Sequence, residues 1–194
     1  PTLLRQKRAV PADRHPEEPI MTEAWIKLNE QPLQLGHRKL LNRTYRLPDG
    51  RVDDFEIKHE PQVVCILAIT SDQQVVLARQ FRPGPEKILL EMPGGGIEAG
   101  ETPQQAAVRE LLEETGYAGE TQYIGASLDC AYTTLLRHNF VATGCEKRQE
   151  PQTGQGEFTE AVTMSLAEFR QHLRSGQLTD IETGYLGLDY LGLL

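Results

Sequence analysis

Cysteine is scarce in this chain: three among 194 residues, at positions 65, 130 and 145, odd in number and without a C-x-x-C spacing. Neither a disulfide framework nor a thiolate zinc cluster is indicated, and reduced cysteines of this kind are expected of a cytoplasmic protein. The five histidines, His15, His37, His59, His138 and His172, show no H-x-H, H-E-x-x-H or H-x-x-x-H spacing, so any metal must be held by oxygen. Long apolar runs are missing as well. The longest, Val63 to Ile69, has seven residues, against roughly 20 needed to span a bilayer as a helix, so no membrane partner is expected. Positive charge is in deficit: 20 Lys and Arg against 28 Asp and Glu give a net charge of -8. That is the wrong sign for a protein held to nucleic acid by counterion release. Against these absences, 39% hydrophobic and 25% charged residues are the ordinary proportions of a folded domain, and the length suits one domain with a small appendage.

Residues 1–20 carry four prolines and little periodic apolar content, which reads as an unstructured arm. Met21 offers a plausible start, so the arm is expected to be either a genuine tail or a non-native extension, with the folded domain over residues 21–194. From Trp25 onward short strands alternate with turn signals. A hairpin is expected at Lys39 to Leu47 and Arg51 to His59 around Pro48-Asp49-Gly50, and core strands at Val63 to Thr70 and Val75 to Phe81. Ile88 to Glu91 is a further short strand, and Pro93 to Gly100, with four glycines, is read as a loop. Thr102, with Pro103 next and Gln105 three residues on, is a capping-box start, and Gly116 a left-handed stop, which frames a helix at Pro103 to Thr115. Strands at Thr121 to Leu128, Asn139 to Cys145 and Glu160 to Met164 follow, then helices at Ser165 to Ser175 and near the C-terminus.

On the framed helix, at 100° per residue, Ala107, Val108, Leu111, Leu112 and Thr115 fall on one side, and Glu110, Glu113 and Glu114 nearly opposite. Like charges three and four residues apart weaken a helix by a few tenths of a kcal/mol per pair, so a cluster of this kind points to a cation. Carboxylates are hard ligands and favour Mg²⁺ or Mn²⁺ over zinc. Three glutamates alone would more often make a solvated acidic face. What tips the balance is the preceding Gly94-Gly95-Gly96, which permits close backbone approach, and the pair Glu101 and Arg109, able to pin that segment to the helix.

Gly95, Glu101, Arg109, Glu110, Leu111, Glu113, Glu114, Gly116 and Tyr117 fit G-x5-E-x7-R-E-U-x-E-E-x-G-U. This resembles the Nudix hydrolase signature, departing from it only in Tyr117, where an aliphatic residue is usual. The likeness extends from Trp25 to Phe169. Val76 to Arg82, then Leu90-Glu91-Met92-Pro93-Gly94-Gly95, are similar to the branch that cleaves ADP-ribose and related nucleoside diphosphate sugars. The resemblance implies an α/β fold, a Nudix-type α/β/α sandwich around a mixed sheet, preceded by an N-terminal strand and hairpin region. It also implies a divalent metal and a homodimer in which N-terminal strands contribute to the partner's site.

Carried onto this chain, Glu110 and Glu114 would ligate metal, Glu113 would be a third ligand or orient the water, and the Gly94 carbonyl is a backbone ligand candidate. Glu101 and Arg109 would be structural. In this branch the base that takes the water's proton often comes from an acidic loop after the box, which makes Glu157 and Glu160 candidates. Arg79 and Arg82, at a strand end, are expected to face one side and grip phosphate. Trp25 is expected either to stack on a nucleobase or to serve core or dimer packing. The ADP-ribose subgroup tends to carry a proline about fifteen positions after the box. Here Tyr132-Thr133-Thr134 stands instead, which leaves other nucleoside diphosphate sugars open. The function implied is metal-dependent hydrolysis of a pyrophosphate in such a small-molecule nucleotide. The rivals are a housecleaning nucleoside triphosphate hydrolase and a catalytically idle ligand sensor.

Overall fold

The structure, a computed structural model, describes residues 24–152 and 158–194; the expectations for the arm at 1–20 and for Glu157 lie outside them. Three strands come first, β1 (Ile26–Leu35), β2 (Arg38–Arg46) and β3 (Val52–Lys58), and form an antiparallel sheet of their own. The hairpin expected around Pro48-Asp49-Gly50 is β2 and β3, paired from Leu40 with Lys58 to Arg46 with Val52.

The second sheet has seven strands. β4 (Val63–Thr70), β5 (Gln74–Arg82), β6 (Lys87–Glu91), β7 (Gly94–Gly96), β8 (Tyr117–Leu128), β9 (Leu136–Lys147) and β10 (Thr159–Ser165) are joined in the order β10-β5-β4-β9-β8, with β6 on β5 and β7 on β4. β4 and β9 run parallel and the other pairs antiparallel, so the sheet is mixed. Three helices complete it: α1 (Pro103–Thr115), α2 (Leu166–Ser175) and α3 (Ile181–Tyr190).

The apolar run of β4 is buried along both faces, as a strand between two helical layers must be. Its odd residues Cys65, Leu67 and Ile69 pack with Val75, Leu77, Phe169, Leu173 and Leu188, on the side of α2 and α3. Its even residues Val64, Ile66 and Ala68 pack with Val76, Ala106, Ala107, Leu111 and Phe140, on the side of α1. The period of two therefore generates the α/β/α sandwich directly. At Gly187 of α3 a Cβ would stand 2.6 Å from Leu67 Cδ2, which is why the helix bearing the Tyr-Leu-Gly-Leu repeat can lie so close to β4.

Two expectations change. Residues 94–96 form a short strand rather than a loop, paired to the start of β4 from Val63 with Gly96 to Cys65 with Gly94. On α1 the buried residues are Ala106, Ala107, Leu111, Glu114 and Thr115, while Val108 is exposed. The buried stripe is thus rotated toward the glutamates, which places Glu114 at its edge rather than opposite it.

Candidate active site

α1 begins and ends as its sequence dictates. Thr102 and Gln105 exchange capping-box hydrogen bonds with each other's backbone, Pro103 opens the first turn, and Gly116, at φ 74°, closes the last. Fixing both ends fixes the direction of every side chain between them. Glu110 and Glu114, one turn apart, come to lie beside the glycine strand. The backbone N–H of Gly94 donates to the Glu114 carboxylate at 2.8 Å. Gly95 faces Glu110 so closely that a Cβ there would stand 2.6 Å from Glu110 Cδ.

Arg109 organises the acidic face. Its Nε and Nη2 donate to Glu101 at 2.9 Å each, Nη2 also donates to the Gly96 carbonyl at 2.9 Å, and Nη1 donates to Glu110 at 2.9 Å and Glu113 at 3.1 Å. The glutamates around it, Glu101 foremost, raise its pKa. Arg109 in turn, together with the Glu98 backbone N–H, holds the Glu101 carboxyl below its ordinary value. The pinning role expected of Glu101 and Arg109 is therefore visible as a forked ion pair.

Glu110, Glu113 and Glu114 line one cavity of about 640 Å³ with Gln80, Arg82, the glycines 94–96, Glu98, Arg109 and Gln152. Among the described residues no group of three or more acidic, histidine or cysteine side chains is drawn together as a metal cluster: Glu110 and Glu113 are turned to Arg109 and Glu114 to Gly94. The donor set itself is all oxygen, three carboxylates and backbone carbonyls on a rigid frame, which is the chemistry a hard divalent ion takes. The residues fit such an ion.

The two arginines of β5 do not share a face. Three residues apart in a strand, they must point oppositely. Arg82 lines the acidic cavity together with Gln80, whereas Arg79 pairs with Glu160 at 3.0 Å in a separate hollow beside Phe81 and Phe158. Arg79 and Glu160 are thereby placed away from the glutamate cavity, and the expectation that both arginines face one side is corrected. The period of two, applied strictly, would have chosen Gln80 with Arg82. Gln80 was missed, and its buried Nε2 has no hydrogen-bond partner among the described residues.

Trp25 lies outside the cavity, half-exposed at the start of the three-stranded sheet, with its ring 6.0 Å from that of Tyr45 and 5.1 Å from that of Phe55. Tyr132-Thr133-Thr134 joins that sheet to the sandwich. The Lys58 N–H donates to the Tyr132 carbonyl, the Thr134 N–H to the Lys58 carbonyl, and Thr133 Oγ1 to Glu60 at 2.8 Å.

A glycine strand clamped on a capped helix, with Glu101 and Arg109 as the clamp and glutamates facing Arg82, matches the NUDIX domain family model over residues 58–181. The chain belongs to the Nudix family. The chain is 31% identical over 150 residues to an ADP-ribose pyrophosphatase of Bacillus subtilis (strain 168), covering 76% of this chain and 80% of that protein. It is 32% identical over 150 residues, with the same coverage, to a methanol dehydrogenase activator of Bacillus methanolicus. An ADP-sugar pyrophosphatase of Mus musculus is 38% identical over 97 residues, 46% of this chain and 44% of that one. Among solved structures, a crystal structure of an ADP compounds hydrolase superposes with a TM-score of 0.72, covering 89% of this chain and 98% of that chain at 20% identity, a likeness of fold. The protein is accordingly a Nudix pyrophosphohydrolase, an enzyme acting on phosphorus anhydrides of nucleotide-like substrates. Enzymes of this family typically use a divalent metal.

Proposed function

We propose that this Nudix hydrolase cleaves the pyrophosphate of nucleoside diphosphates joined to a sugar, ADP-ribose among them, giving a nucleoside monophosphate and a sugar phosphate. The observation that carries the reading is the meeting in one cavity of the α1 glutamates with Arg82, carboxylates suited to a divalent ion beside a cation suited to phosphate. The names borne by the Bacillus subtilis and Mus musculus relatives support the substrate class.

Glu110 and Glu114, with Glu113 and the Gly94 carbonyl, would hold Mg²⁺ or Mn²⁺. A divalent ion bound there supplies charge neutralisation on the pyrophosphate oxygens and lowers the pKa of water. Arg82 gives a charge-assisted hydrogen bond to a phosphate oxygen. Arg109 keeps the glycine strand and the carboxylates in register. Water attacks one phosphorus, the bridging P–O bond breaks, and the water's proton passes to a carboxylate, for which Glu157 is the candidate. The chain on either side of residues 153–157 reaches the site: Gln152 lines the cavity, and Thr159 Oγ1 donates to the Glu114 carbonyl at 3.2 Å. We assign Trp25, with Tyr45, Phe55 and the exposed Ile26 and Leu28, to contact with a second copy of the chain in a homodimer.

A substrate panel scored by products tests the reading. ADP-ribose and other nucleoside diphosphate sugars should yield a nucleoside monophosphate plus a sugar phosphate. Release of pyrophosphate or phosphate from nucleoside triphosphates, with sugar nucleotides untouched, would replace this reading with triphosphate hydrolysis.

A further inference from the structure

Glu91, the last residue of β6, is a carboxylate with no exposure to solvent. A charge so placed is costly unless it is paired and hydrogen-bonded, and its partners are specific. Glu91 Oε1 accepts from the backbone N–H of Thr179 at 3.1 Å and from the Thr179 hydroxyl. Oε2 accepts from Arg82 Nε. The Thr179 donors are neutral, and an uncharged amide at position 91 would satisfy them as well. Among the described residues the cation that answers the full charge is Arg82.

Arg82 is the side chain that needs an answer. It stands at the wall between the acidic cavity and a neighbouring one of about 230 Å³, lined by Cys65, Met92, Arg137, Thr179 and Asp180, and the two cavities share Arg82, Gly94 and Gly95. Unlike the buried glutamate, Arg82 is 38% exposed. An arginine has many rotamers to lose on gripping a ligand, but its guanidinium is a rigid plane, so capture of the Nε edge sets the plane and turns the Nη edge the other way.

We propose that Glu91 is a positioning residue, holding Arg82 by Nε so that its Nη groups are aimed at the substrate's phosphate before substrate arrives. The carboxylate is itself fixed by two donors from Thr179, so the orientation of Arg82 is tied to the turn that opens α3. This inference rests on the reading that Arg82 contacts phosphate.

A double-mutant cycle on the full chain, with Mg²⁺ and ADP-ribose, tests it. Glu91→Gln keeps the side-chain volume and a carbonyl acceptor for Thr179, and should lower kcat/KM about 10- to 100-fold, the usual cost of losing an outer partner of a site residue. In an Arg82→Ala background the same change should lower kcat/KM by less than about twofold, because the group it positions is gone. An equal factor from Glu91→Gln in both backgrounds would overturn the inference and leave Glu91 as a purely structural acid. A silent Arg82→Ala would instead remove the phosphate contact on which the inference rests, and with it the inference. Should Glu91→Gln be too unstable to assay, Arg82→Lys decides. Lysine keeps the charge but has no Nε–H fork for Glu91 to hold, so kcat/KM should fall nearly as far as in Arg82→Ala. Wild-type kcat/KM in Arg82→Lys would show that only the charge matters and would overturn the proposal.

Discussion

The backbone N–H of Gly94 donates to the carboxylate of Glu114 at 2.8 Å, joining the glycine strand to the last turn of the helix twenty residues later. Gly94 has no room for a side chain: a Cβ there would stand 3.0 Å from Cys65 Cα. With Gly95 packed on Glu110, the central strand β4, the glycine strand and α1 form one block. The candidate metal ligands are held by this backbone block, Glu114 through the Gly94 N–H, and by Arg109, which donates to Glu110 and Glu113.

Because Glu110 and Glu114 converge on that block, Glu110→Gln and Glu114→Gln should each lower turnover by at least about 10²-fold, the scale of losing metal-assisted charge stabilisation. Far-ultraviolet circular dichroism should be unchanged. Glutamine retains the shape and relieves like-charge repulsion on the helix, so the Tm of the metal-free protein should hold or rise. Near wild-type turnover of both variants at limiting Mg²⁺ would remove the metal assignment.

The two candidate bases should separate cleanly. Glu160 is committed to Arg79 on the exposed end of β10, and Glu160→Gln should leave kcat within a few-fold of wild type. Glu157→Gln should lower kcat by roughly 10² to 10⁴ with KM little changed, the signature of a group that acts in the transition state. If Glu157→Gln retains most of its activity, the proton is taken elsewhere, with Glu113 the next residue to test.

Asp180 gives the fold a pH dependence of its own. Burial, with the charge of Glu91 nearby, pushes its carboxyl from an ordinary 3.8 up to about 6, against the Cys65 thiol donating to it at 3.1 Å. A raised carboxyl favours the protonated folded state. Its contribution is fully present below about pH 4 and is lost as pH rises through about 6, so at neutral pH the ionised group costs stability. Asp180→Asn should therefore be more stable than wild type at pH 7.5, by about 1 to 3 kcal/mol, with the difference shrinking toward pH 5. Denaturant unfolding of both proteins across that range measures it. A constant difference would mean that Asp180 does not titrate there.

Much of this was legible because local rules agree with one another. Thr102, Pro103, Gln105 and Gly116 bound a helix whatever surrounds it, and the structure places α1 at Pro103–Thr115 as those caps require. The apolar run at 63–69 announced a core strand, and the structure covers it on both faces. Three features were hidden. The glycine strand, with no side chain to alternate, takes its identity from pairing to β4, a contact about thirty positions away. Val108 reads as core on a helical wheel, but the real stripe is set by how α1 lies across β4 and β5, and it leaves Val108 in solvent. The role of Glu91 is invisible from spacing, since an isolated glutamate ending a short strand gains meaning only when Arg82 and Thr179 close around it.

Cleavage of a nucleoside diphosphate sugar is read directly in the ³¹P spectrum of ADP-ribose incubated with the full chain and Mg²⁺. The pyrophosphate resonances should give way to two phosphomonoester signals in equal amounts, AMP and ribose 5-phosphate, with no inorganic phosphate or pyrophosphate, and removal of the divalent ion by chelation should stop the conversion. An unchanged ADP-ribose spectrum under conditions where nucleoside triphosphates release pyrophosphate would contradict the account.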